Sequence, residues 1–120
     1  LLGIRKFNGV AIDLFQGDIS TFSCDHEFVA HEGGSIAGVC ETALKEIVAS
    51  NGRHLAVSVI LTEQSGLDAA AIAAMNAVKR FLGNLNDRRG LRRLTFVLTS
   101  GDGYRAFQNA LFTTFLEDDA

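Results

Sequence analysis

Leu55–Leu61 reads LAVSVIL, a nearly continuous apolar run rich in β-branched residues. A strand with one wet face alternates apolar and polar residues. One that does not alternate is covered on both faces, as in the middle of a parallel sheet. Such a strand needs neighbours on either side and crossover connections to reach them. The segments around it supply both.

Ile4–Phe7 and Val10–Gln16 are strand-like and flank Asn8-Gly9. Both turn residues tolerate positive φ, which predicts an antiparallel hairpin with Ile4–Phe7 at a sheet edge. Gly17-Asp18-Ile19-Ser20 turns, Thr21–Asp25 is ambiguous, and Glu27–Ala30 reads as a short strand. After the loop Glu32-Gly33-Gly34-Ser35, apolar residues at Ile36, Val39, Cys40, Ala43, Leu44, Ile47 and Val48 follow the helical period. Asn51-Gly52 predicts a left-handed stop. Ser65 is placed to cap a second helix running to about Leu82, with Ile72, Met75, Val78 and Leu82 turned inward. Leu94–Leu98 is a further strand. A last helix is expected from about Tyr104 to Leu116, with Asp102 as its N-cap and Tyr104, Phe107, Leu111 and Phe115 on one face.

The order is three strands, then helix–strand–helix–strand–helix. Strand–helix–strand repeats imply right-handed crossovers. The expected fold is α/β: a three-layer α/β/α arrangement with a mixed, mostly parallel sheet of about five strands and the hairpin at one edge. It forms one domain over residues 1–120, ending in an acidic tail at about 117–120.

The 48% hydrophobic content is enough for a core with doubly buried strands. No apolar run is long enough to cross a membrane as a helix. A net charge of −3 argues against a nucleic-acid partner, which calls for a basic field. Cys24 and Cys40 lack metal-ligand spacing, and Leu1-Leu2-Gly3 does not begin a secretory signal. Reduced thiols, a cytoplasmic location, and no metal or resident cofactor are expected.

Parallel strands end on one edge of their sheet, and open α/β sheets bind ligands there. The loops around Gly17, Gly33, Ser65 and Gly101 would converge on that edge. Three of them lead into helix N-termini, whose unpaired amides favour anions. Gly33-Gly34 lets the backbone approach a phosphate closely, or simply makes a tight turn. Asp18 caps the turn after its strand, or accepts a hydrogen bond from an exocyclic amine such as that of adenine.

Three stretches together, GDIS at Gly17–Ser20, GGSIAG at Gly33–Gly38 and FVLTSGDGYRAFQNAL at Phe96–Leu111, resemble the macro domain, an ADP-ribose-binding module. The resemblance implies that Asp18 contacts the adenine amine, with Ile19 adding backbone. It implies that Gly33, Gly34, Ser35 and Ile36 hold the diphosphate, and that Ser65 and Gly66 form a second phosphate-side loop. The implied partner is an adenine diphosphate small molecule, ADP-ribose foremost, or an ADP-ribosylated protein.

The chain departs from the family pattern before the glycine loop, where Glu27–Glu32 reads EFVAHE and has no asparagine, and between Ala49 and His54, where a middle section is missing. Binding is therefore expected rather than catalysis. One alternative is an interaction or structural domain that has lost the ligand, with a homodimer partner over the surface the missing section would have covered. The other is a hydrolase of ADP-ribosyl or acetyl-ADP-ribose esters, with His31 as base and Glu32 assisting. Asp87–Arg93 holds four arginines. It reads as a solvated turn or a phosphate contact, on the edge opposite the predicted site.

Overall fold

The computed structural model describes residues 4–17, 26–31, 36–60, 67–85 and 90–115. Its elements are β1 (Ile4–Phe7), β2 (Val10–Gln16), β3 (His26–His31), α1 (Ile36–Ala49), β4 (His54–Ile60), α2 (Leu67–Gly83), β5 (Arg93–Leu98) and α3 (Gly101–Thr114). The strands form one mixed five-stranded sheet in the order β1-β2-β5-β4-β3. β1 is antiparallel to β2, and every other pairing is parallel. The three inner strands, β2, β5 and β4, are more apolar than the edge strands β1 and β3, as their burial demands.

Local chemistry accounts for the boundaries. Asn8 and Gly9 have φ of 55° and 83°, the left-handed pair that a two-residue hairpin of the right twist needs. The Asn8 side chain also donates to the carbonyl of Leu82 at 2.6 Å, which ties the hairpin to the end of α2. α1 stops at Asn51, whose φ is 62°, while the Gly52 amide reaches back to Ile47 at 2.9 Å. That closure satisfies one of the carbonyls a helix end leaves open.

Register separates the sheet's two faces. Ile12 and Leu14 of β2 lie level with Leu94 and Phe96 of β5, and Leu55, Val57 and Val59 of β4 lie level with Leu94, Phe96 and Leu98. These residues belong to or pack against a single apolar core with the inward sides of all three helices. α1 packs on α2 and α2 on α3, so the described helices stand side by side as one layer on this face. Helices were expected on both faces; among the described residues they cover one. The opposite face carries small and polar side chains in its middle, and Ala56, Ser58, Thr95 and Val97 there are nevertheless buried.

α2 shows why it sits where it does. Ala71, Ala74, Met75, Ala77, Val78 and Leu82 are buried, but Ile72 is 47% exposed. The expectation that Ile72 points inward is thus corrected. The alanine side of the helix is the buried one, because small side chains let neighbouring helices approach, and Ile72 falls on the other flank. The third helix starts earlier than expected, and its N-cap is Ser100 rather than Asp102. Ser100 adopts extended φ and ψ of −120° and 154°, and its Oγ accepts from the Gly103 amide at 3.0 Å. Asp102 instead sits in the first turn, paired with Arg105.

Candidate functional site

Because β2, β5, β4 and β3 run parallel, they end together at Gln16, Leu98, Ile60 and His31. The Gly17 amide donates to Leu98 at 2.9 Å, extending the β2–β5 pairing to the rim of the sheet. All three helices start from this same edge, since each follows one of these strands. Their N-terminal dipoles therefore lie on one side of the molecule.

Of the residues assigned from sequence, Ile36 is the first residue of α1 and is 7% exposed. Its side chain belongs to the core, which leaves only its backbone for a ligand to meet. His31 ends β3, in register with Ile60 of β4. Asp18, Ile19, Gly33, Gly34, Ser35, Ser65 and Gly66 lie outside the described residues. In the chain they adjoin ends that are described. Asp18 follows Gly17, Ser35 precedes Ile36, and Gly66 precedes Leu67. Cys24 also lies outside the described residues. No group of His, Cys, Asp or Glu among the described residues could hold a metal ion, and no helix among them is long and apolar enough to cross a membrane.

Cys40 is a free, buried cysteine on the core side of α1. Burial, and secondarily the charge of Glu41, pushes its thiol from an ordinary 9.0 up to about 12. It is a packing residue and not a nucleophile at neutral pH. Between pH 9 and 12 the unfolded chain has released this proton and the folded chain holds it. Stability therefore falls as pH rises through that window, by at most about 1.4 kcal/mol per pH unit. In a Cys24→Ser background, Cys40 is expected to resist a thiol reagent at mildly alkaline pH and to react fully in denaturant. Native-state labelling as fast as that of a free thiol would contradict this placement.

The sequence reading missed a polar cluster on the opposite face. Asp13 is 5% exposed, in the interior of β2. Its Oδ2 accepts from Arg93 Nε at 2.8 Å and Nη2 at 2.5 Å, and its Oδ1 accepts from Thr95 Oγ1 at 2.5 Å. His54 Nε2 lies 2.9 Å from the same Thr95 oxygen. A hydroxyl has one proton. Thr95 spends it on Asp13, so His54 donates and carries a proton on Nε2. The cluster spans β2, β5 and β4 in the amino-terminal half of the sheet, away from the carboxyl edge of the parallel strands. Thr95 is fully buried, so no substrate reaches it. The available signal was an acid at an interior position of an otherwise apolar strand.

A surface depression of about 290 Å³ lies between α1 and the end of α2, lined by Glu41, Arg80, Phe81, Asn84 and Leu85. Arg80 and Glu41 pair across it at 3.0 Å, both exposed enough for the pair to add little stability. It contains none of the residues assigned from sequence. The sequence matches no protein-family model and no curated protein.

Proposed function

We propose that this chain is a binding module for ADP-ribose or a related adenine diphosphate nucleotide, free or carried on a protein, in the manner of a macro domain. One observation carries the reading. In the chain, the residues that the resemblance assigns to adenine and to phosphate adjoin strand ends or helix starts that lie on the carboxyl edge of the parallel strands, where open α/β sheets take their ligands. In this reading Asp18 accepts from the adenine amine, and backbone amides from Gly33 to Ile36 hold the diphosphate at the start of α1. Ser65 and Gly66 approach it from the start of α2. Nothing in the reading requires turnover.

Calorimetric titration of ADP-ribose into the full chain tests it. Binding is expected, weakened roughly ten- to hundredfold in Asp18→Ala, the range for losing one hydrogen bond to a charged acceptor. Far-ultraviolet circular dichroism of the variant confirms that the fold is unchanged. No heat at millimolar ligand with the unsubstituted chain would remove the nucleotide and leave an interaction domain.

A further inference from the structure

The arginine-rich stretch before β5 is not a loose turn where it is described. The amides of Arg92 and Arg93 both donate to the carbonyl of Arg53, at 2.8 and 3.0 Å. The carbonyl of Arg92 accepts from Ala11 at 2.8 Å, and the Gly90 amide donates to Asn51 Oδ1 at 3.0 Å. The close approach is built in at Gly90, where a Cβ would stand 2.9 Å from the Asn51 carbonyl oxygen. Two loops distant in sequence thus hold Arg53, Arg92 and Arg93 side by side at the amino ends of β4 and β5.

Register extends the cluster across the sheet. Lys6 is level with Ala11, Ala11 with Arg93, and Arg93 with His54. Neighbouring strands are about 4.8 Å apart, so Lys6 and Arg93 stand about 10 Å apart on one face. Lys6, Arg53, Arg92 and Arg93 are all exposed. Lys6 and Arg53 each take part in a further interaction. The Arg92 guanidinium has no hydrogen-bond or ion-pair partner among the described residues, and Arg93 donates to Asp13 through only two of its five N–H groups. Asp13 is buried beneath Arg93, so the outward surface is cationic although the whole chain carries −3.

We propose that this amino-terminal edge, through Arg92 and Arg93 with Arg53 and Lys6 beside them, is a docking surface for an acidic protein segment. The arginine fork matches carboxylates, and an extended peptide repeats its side chains on one face every ~7 Å, within the spacing of these cations. A nucleic acid fits less well, because no aromatic ring among the described residues is fully exposed for bases to stack on. The surface lies at the opposite end of the strands from the proposed nucleotide site and does not depend on it.

The test is fluorescence anisotropy of the full chain with a labelled peptide of alternating Glu and Ser. A single-stranded oligonucleotide of equal charge runs in parallel, both at low and at physiological salt. Peptide binding is expected, weakening with salt. It should fall about five- to tenfold in Arg53→Gln/Arg92→Gln, two exposed changes that leave the backbone hydrogen bonds in place. Arg80→Gln/Arg105→Gln changes net charge equally at a distance and should leave binding intact. Absence of peptide binding, equal loss in the distant pair, or tighter binding of the oligonucleotide each overturns the proposal.

Discussion

Replacing Phe96 by alanine is expected to destabilise the fold by about 3–5 kcal/mol. Phe96 is fully buried on the helix-covered face of β5, level with Leu14 of β2 and Val57 of β4. Its ring meets that of Phe107 at a centroid distance of 5.3 Å, tilted by 47°, and so joins the sheet to α3. Truncation loses the transfer free energy of the ring and leaves a cavity that a rigid sheet on one side and a helix on the other cannot close. Urea unfolding should show a lower midpoint with little change in slope, and the thermal midpoint should drop by well over five degrees. Phe96→Leu, which retains most of the volume, should cost much less. A loss below about 1 kcal/mol in Phe96→Ala would show that β5 and α3 are not joined through this residue.

The second large effect is expected at Asp13. Asp13→Ala should cost about 2–3 kcal/mol, more than a surface ion pair could explain. The Arg93 side chain is 49% exposed, so the ionic part is largely screened and Arg93 can turn to water. Thr95 cannot, because it is fully buried and would lose the acceptor of its only proton. The cost therefore resides mainly in the hydroxyl and in the His54 contact beyond it. Thr95→Val alone should also destabilise, by stranding Asp13 Oδ1 and His54 Nε2. The double variant should be less destabilised than the sum of the two, since removing both partners leaves fewer polar groups unpaired. Denaturant titration of the four proteins measures this coupling, and a value near zero would dissolve the network into independent contacts. In the unsubstituted protein, nitrogen chemical shifts of His54 should show a proton on Nε2.

Much of the fold is legible in the residues themselves. The hairpin follows from Asn8-Gly9, the α1 stop from Asn51-Gly52, and the inner strands from runs without polar alternation. Each is a local preference acting within a few residues. The misread positions are those where two local signals compete. Ser100 and Asp102 are both good N-caps, and the choice between them depends on where β5 releases the chain. Ile72 and the neighbouring alanines both offer an apolar flank on α2, and the side that α1 and α3 approach decides which is buried. The candidate site is legible in kind but not in detail. Gly17–Ser20 and Gly33–Ile36 can be read as loop chemistry, whereas the meeting on one edge of the strand ends and helix starts they adjoin in the chain depends on strand direction.

The sequence by itself determined the elements, their order and the parallel character of the central strands, because periodicity, turn residues and caps act over one or two turns of chain. Only the tertiary structure decided which strands are neighbours. The order β1-β2-β5-β4-β3 puts β5 beside β2, joining segments some 80 residues apart. That single adjacency sets Asp13 against Arg93 and Thr95 and brings the ends of β2 and β5 to one rim, while the β4–β5 pairing gathers Arg53 with Arg92 and Arg93. No short-range pattern specifies it, since strand pairing is selected by how all the apolar faces can be covered at once.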